Sequence, residues 1–303
     1  MARMIRLLVE DRPTIYHVMS RTALDGYPLG AVEKDYLLSS FKRFSALYFA
    51  EILGFCIMGN HFHLLVRMMP AEMIDDNEMD RRIRHAFGPD AVIAPALRER
   101  LRLKWSRLSE FMREIKQTFS RFYNARHHRR GYFWGDRFKS VIIEDGRTTI
   151  HCLAYIDLNP IRAGLVRRPE DYRWCSIGYH LQSNNADAFL STDFGLEDDH
   201  RNTRDRLRLY RRFLYEHGQE ASPKGPGIST RLVEESAKSG YEYSVTDRLR
   251  LRSRWFTDSG ILGSQAFITE LIQKFDCIKN RVKSPKEIDG LDFFALKRFN
   301  ESQ

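Results

Sequence analysis

The sequence predicts an α+β protein in which helices pack against an antiparallel sheet, and three observations predict it. The run Thr14-Ile15-Tyr16-His17-Val18-Met19-Ser20 is short, β-prone and ends before the turn-like Asp25-Gly26-Tyr27-Pro28. Residues 32–49 then place Leu37, Leu38, Phe41, Phe44, Leu47 and Tyr48 at helical spacing with Lys and Arg between them. Residues 52–58 and 61–68 read as two strands joined at Gly59-Asn60, a hairpin-type turn that makes the pair antiparallel. The order is β-α-β-β.

The second strand of that hairpin carries His61 and His63 alternating with Phe62, Leu64 and Val66. Side chains at i and i+2 of a strand share a face, so the two imidazoles project together while the apolar residues turn to a core. That geometry can present two imidazoles to one metal ion. The alternative is a strand with two satisfied or exposed histidines. Both rings are expected to face the surface, so that replacing either costs little packing energy.

Residues 70–80 hold five acidic side chains and no basic one, and the segment continues through Gly88-Pro89 and Ala94-Pro95. Residues 70–100 therefore read as a solvent-facing insertion, partly helical. From Lys104 the apolar positions Trp105, Leu108, Met112, Ile115, Phe119 and Phe122 step by 3, 4, 3, 4 and 3, which predicts one long amphipathic helix over 104–126. Residues 121–139 follow with six Lys/Arg against one acid and with His127, His128, Tyr132, Phe133 and Trp134 interleaved. Cations that follow phosphates beside rings that stack on bases suit single-stranded nucleic acid. A solvated loop whose aromatics turn inward is the other reading. Residues 138–144 form a further strand, and a helix bearing Tyr155 follows.

Tyr155 and Asn159, four residues apart, share a helical face. Pro160 ends or kinks that helix, which also makes Asn159 a candidate N-cap for the turn at 160–164 and Tyr155 a candidate core residue. Residues 201–212 hold six arginines against one acid and predict a basic helix; residues 216–229, rich in Gly, Ser and Pro, predict a linker. The pattern from 231 to 300 suggests a few short helices, giving a small, mainly helical C-terminal extension over 230–303.

A length of 303 residues suggests more than one unit, and a net charge of +9, clustered in segments, favours a polyanionic partner. No apolar run approaches the ~18 residues that span a bilayer, so the expectation is a soluble cytoplasmic protein without a membrane partner. Cys56, Cys152, Cys175 and Cys277 are isolated and form no C-x-x-C pair, which leaves them as buried small hydrophobes.

Taken together, Val18-Met19-Ser20-Arg21, the segment Met58 to Val66, the segment Gly131 to Asp145 and the segment Tyr155 to Val166 with its Asn159-Pro160-Ile161-Arg162-Ala163-Gly164 core resemble the REP-associated tyrosine transposases, a branch of the HUH single-tyrosine transposase family. The matching segments fall in the family's order and cover most of residues 14–180. The stretch Arg254 to Gly260 with Gly263-Ser264 looks like the extension of some longer members, and the acidic insertion departs from the compact family pattern. The resemblance implies a ferredoxin-like HUH catalytic domain over 1–180, followed by the basic helix and linker of 181–229 and the extension of 230–303.

It also implies chemistry. His61, His63 and the side-chain oxygen of Asn159 would ligate Mg²⁺ or Mn²⁺, and Tyr155 would attack a phosphodiester of single-stranded DNA. The product would be a 5′-phosphotyrosine that a second transfer resolves, in transposition or in processing of REP-like hairpin repeats. Arg21, Asn60 and Arg162 within the matching motifs, with Arg126, Arg129, Arg130, Trp134, Arg137 and Lys139, are the candidate DNA contacts. The assembly would be a monomer or homodimer. The competing reading is a non-catalytic nucleic-acid-binding or regulatory protein on the same fold. Hydrolysis by metal-activated water ranks third, because Asp157 lies off the Tyr155 helix face.

Overall fold

The computed structural model describes residues 7–196, 202–219, 225–237, 259–275, 285–287 and 294–297. The chain folds as an α+β protein around a mixed, mostly antiparallel sheet of seven strands with helices packed against it. Its first half follows the expected order. Strand β1 (Thr14–Arg21) leads into helix α1 (Ala31–Ser45), then β2 (Ala50–Ile57) and β3 (His61–Met68). Helices α2 (Asp76–Phe87), α3 (Pro95–Trp105) and α4 (Leu108–Arg126) precede β4 (Lys139–Ile143). The first four strands lie in the order β2-β3-β1-β4, all antiparallel to their neighbours, which is the split β-α-β arrangement of a ferredoxin-like sheet.

Period-2 alternation divides the residues of this sheet between two cores. Tyr16, Val18, Phe62, Leu64 and Val66 face α1 and α4 and join Phe41, Phe111 and Phe119. Ile15, Leu65, Val141 and Ile143 face the opposite way, under α5 (Arg147–Asp157), where Leu153, Tyr155 and Ile156 cover them. Behind α5 lies α8 (Thr203–Gly218), buried through Tyr210, Leu214 and Tyr215; of its arginines, Arg204 and Arg208 are exposed, whereas Arg206, Arg211 and Arg212 are half-buried beside Asp193, Glu170 and Glu216. Between them come α6 (Asn159–Arg162) and α7 (Ser176–Ser183).

Gly54 explains how closely α5 sits. A Cβ there would lie 2.1 Å from Leu153 Cδ1 and 2.8 Å from Ser176 Oγ, and the β2–β3 register shifts between Ile52 and Gly54. The missing side chain and the bulge let α5 and α7 rest directly on β2.

Three sequence expectations change. The 70–100 insertion is not solvent-facing throughout: Asp75 caps α2 through Glu78 N, and Met79 and Ile83 are buried in the α1/α4 core. Arg82 Nη1 fastens the same helix to the carbonyls of Ser45 and Tyr48. The long helix over 104–126 is two helices, broken at Ser106-Arg107, with Trp105 packed edge-on against Phe49 from the end of α3. Apolar spacing of 3 and 4 carries across such a break because it reports a face and not continuity.

The C-terminal segment, expected to be mainly helical, supplies three strands besides α9 (Thr230–Ala237) and α10 (Gln265–Lys274). Strand β5 (Ser259–Gly263) pairs in parallel with β4, and β7 (Phe294–Lys297) and β6 (Lys286–Glu287) extend the sheet antiparallel from it. Every residue of β5 is buried, and five residues, two of them glycine, give too short a run to show a period. Cys56, Cys152 and Cys175 are buried free thiols, whereas Cys277 and residues 254–258 lie outside the described residues. Among the described residues, no helix is long and apolar enough to cross a membrane.

Candidate active site

The β3 register places the histidines where parity requires. His61 stands opposite Arg21 of β1, and His63 opposite Met19, which in turn faces Lys139 of β4. Directly opposed residues share a sheet face, so Arg21 and Lys139 stand on the histidine side, both exposed. This is the side covered by α5.

Helix α5 brings Tyr155 down onto the pair. Its ring meets His63 edge-on at a centroid distance of 5.6 Å, and the His61 and His63 rings are 5.1 Å apart. His63 is 1% exposed and Tyr155 4%, so the expectation of surface-facing histidines fails for His63. The cause is the helix above it: parity chose the face correctly, but that face is also a core. His61, nearer the strand end, is half-buried.

Each ligand candidate has its second polar atom engaged. His61 Nδ1 lies 2.8 Å from Asn60 Oδ1, and an amide oxygen only accepts. The neutral His61 ring therefore carries its proton on Nδ1 and its lone pair on Nε2. Asn60 is held in turn by donating Nδ2 to the Gly26 carbonyl. Asn159 Nδ2 donates to the carbonyls of Tyr155 and Ile156, at 2.8 and 3.2 Å. That bond pattern caps the end of α5 and leaves Oδ1 as the oxygen able to ligate. It also replaces the N-cap reading: the residue before α6 is Leu158, and no side chain caps that helix.

The donor set fits a divalent cation in kind, two imidazole nitrogens and an amide oxygen. It holds no carboxylate. Among the described residues, no group of three or more His, Cys, Asp or Glu gathers as a metal site. Such a set would hold an ion only with further oxygen ligands from outside the chain.

Arg162 completes the cluster. Its guanidinium carbon lies 5.5 Å from the centre of the Tyr155 ring, and Nη1 is buried with no hydrogen-bond partner among the described residues. Burial lowers its pKa from the usual arginine value, with Tyr155 acting in the opposite sense.

The remaining basic candidates divide. Arg126 Nε is 3.2 Å from Glu33 Oε1, and Arg129 packs its guanidinium 5.9 Å from the Tyr123 ring, both at the C-terminal end of α4. Arg130 and Arg137 are exposed in the loop that follows. Trp134 does not offer a stacking surface to a base: it is 8% exposed, meets Phe62 edge-on at 5.3 Å, and donates Nε1 to the Lys116 carbonyl at 3.0 Å. A basic segment does not reveal which of its rings the core will take; here Phe133 and Trp134 go in and Tyr132 stays out, 89% exposed.

One residue of the cluster was missed, and one that was set aside lies elsewhere. His17, read only as part of a strand, lies with Nε2 2.9 Å from His63 Nδ1 and its ring 6.0 Å from Tyr155. Its parity opposite to Tyr16 and Val18 was visible, but the strand register that carries it to His63 was not. Asp157 is fully buried and accepts from Tyr210 Oη at 2.7 Å and from Ile177 N at 3.3 Å. Burial pushes its pKa up to about 7, with those hydrogen bonds acting the other way. It belongs to the α5–α7–α8 packing and not to the histidine cluster.

No protein-family model matches the chain, and no curated protein matches it. Among solved structures, one described as "Structure of the REP associates tyrosine transposase bound to a REP hairpin" is similar with a TM-score of 0.42 and 15% identity over 67% of this chain and 94% of that one.

Proposed function

We propose that the chain cleaves and rejoins single-stranded DNA with Tyr155 as the nucleophile, through a 5′-phosphotyrosine, as its sequence resemblance to the REP-associated tyrosine transposases implies. The observation that carries the reading is the convergence of His61 and His63, from one strand, with Tyr155 and Arg162, from two successive helices far from that strand in sequence. A packed core has no need of two imidazoles, a phenol and a guanidinium in one place.

The residues divide the work as follows. Tyr155 supplies the attacking oxygen; a phenol, with a reference pKa of about 10, is a modest nucleophile but a good leaving group, so the linkage it forms is reversible and conserves the phosphodiester for rejoining. Arg162 holds a phosphate oxygen through Nη1 and balances the negative charge that grows during attack. Arg21 and Lys139 hold neighbouring phosphates on the same sheet face. His61 and His63 through Nε2, and Asn159 through Oδ1, would hold Mg²⁺ or Mn²⁺, which when bound supplies Lewis-acid polarisation of the scissile phosphate. Because Asn159 caps the helix that bears Tyr155, ligand and nucleophile move as one rigid element.

The test is incubation of the full chain with single-stranded hairpin oligonucleotides and Mn²⁺ or Mg²⁺, followed by denaturing electrophoresis. A metal-dependent, denaturant-resistant adduct is expected, absent from Tyr155→Phe. Tight binding with no cleavage by the wild type under any metal would favour the non-catalytic reading.

A further inference from the structure

We infer that His17 is the positioning residue of the His63 ligand: it accepts the His63 Nδ1 proton and so fixes the ring with Nε2 toward the metal. This rests on the reading of His61 and His63 as ligands.

On β1, the residue directly opposite His63 is Met19 and the one opposite His17 is Leu65, so His17 reaches His63 along the diagonal of the antiparallel pair. The nitrogens are 2.9 Å apart, and the rings lie 18° from parallel with centroids 5.1 Å apart. That separation is too long for face-to-face contact and fits an N–H···N bond between nearly coplanar rings. Both residues are 1% exposed, so bulk water does not compete for this bond. Tyr155 stands edge-on to both rings, at 6.0 Å from His17 and 5.6 Å from His63.

Only one proton can lie between two neutral imidazoles. If His17 donates, the His63 proton sits on Nε2 and His63 cannot ligate. If His63 donates, its lone pair is on Nε2 and a cation can be bound there. The ligand role therefore requires His17 to be the acceptor, protonated on its own Nδ1. His61 reaches the same state by a different partner, the Asn60 amide oxygen. Neither partner is a carboxylate, so neither adds charge to its ligand, which agrees with an ion held mainly by substrate phosphate.

The test uses the full chain with Mn²⁺ alone, its affinity read from the electron-paramagnetic signal of the free ion. His17→Phe, which keeps a ring but no acceptor, should bind Mn²⁺ about 10- to 100-fold more weakly, the range expected on loss of an outer partner. His17→Gln, which restores an acceptor oxygen, should lie within a few-fold of wild type. Metal-free melting curves show whether each variant is folded. On the wild type itself, nitrogen NMR of the histidine rings with saturating Mg²⁺ should find His63 protonated on Nδ1. A folded His17→Phe with wild-type affinity, or His63 protonated on Nε2, overturns the inference; should His17→Phe fail to fold, the NMR result decides alone. A wild type that takes up Mn²⁺ neither alone nor beside a single-stranded hairpin oligonucleotide, beyond what the oligonucleotide binds by itself, overturns this inference and the functional reading together, whereas wild-type binding left unchanged in His17→Phe removes only the role of His17.

Discussion

A buried guanidinium with one nitrogen lacking a partner among the described residues, beside a buried phenol, is an expensive arrangement for a fold to keep unless an anion completes it. On the proposed chemistry that anion is the scissile phosphate. Arg162→Met, of similar length but uncharged, should slow adduct formation by about 10²–10³-fold, as loss of one preorganised charge donor does. Single-strand affinity should fall much less, because Arg21 and Lys139 remain; equal losses in rate and affinity would reduce Arg162 to an ordinary phosphate contact. Trp134 belongs at the same scale with the opposite expectation. Trp134→Ala should cost about 3–5 kcal/mol of stability, read from chemical denaturation, and leave the affinity of the folded fraction near wild type. A loss of affinity without a loss of stability would restore the stacking role. Asp157 gives a pH signature. Its folded pKa, raised to about 7, lies above the ordinary aspartate value, so folding takes up a proton between about pH 4 and pH 7. The stability it contributes is therefore complete below about pH 4, declines as pH rises through 7 and is flat above. Asp157→Asn should lack that slope, so the difference between wild-type and variant stability curves should change between about pH 4 and pH 7; parallel curves would mean that Asp157 stays ionised. That His61 and His63 share one sheet face, and that Tyr155 and Asn159 lie together on one helix turn, was legible in the sequence because strand and helix parity both act locally. His17 and the inward turn of Trp134 were not, because each depends on which distant segment lies alongside.

Elements place the site through close approach. Helix α5 meets β2 at Gly54 with no room for a methyl group, and Leu153, the residue it would strike, lies two positions before Tyr155. Gly54→Val should push α5 outward, destabilising the fold by at least the 1–3 kcal/mol typical of overpacking and reducing cleavage further than the stability loss accounts for. Wild-type cleavage in a stably folded variant would show that the position of α5 is not critical. The order β1-α1-β2-β3 was readable because each unit carries its own period and turn signal. The insertion misled because its acidic residues line the outer face of α2 and contact Arg81, Arg98 and Arg102, while only Met79 and Ile83 turn inward. Two buried residues in a dozen make a faint stripe in a segment otherwise charged.

At the scale of the whole molecule, the sheet runs unbroken from the histidine strands to the C-terminal strands, since β5 pairs with the edge of β4 that Lys139 opens. The first four strands could be foreseen because hairpin and helix signals connect them in order. The addition of β5, β7 and β6 could not, since a parallel pairing across more than a hundred residues leaves no local trace. The +9 charge now has a partial destination: Arg21, Lys139 and Arg162 gather around the cluster, while Arg126 is paired with Glu33. The central claim is that Tyr155 itself carries the DNA strand. The most direct measurement is to trap the adduct formed with a hairpin oligonucleotide and Mn²⁺, digest it with nuclease and protease, and locate the residual nucleotide by mass spectrometry. A nucleotide joined through its 5′-phosphate to the peptide containing Tyr155 is the predicted result. A nucleotide on any other residue, or cleavage that proceeds with no covalent species in wild type and undiminished in Tyr155→Phe, would contradict it.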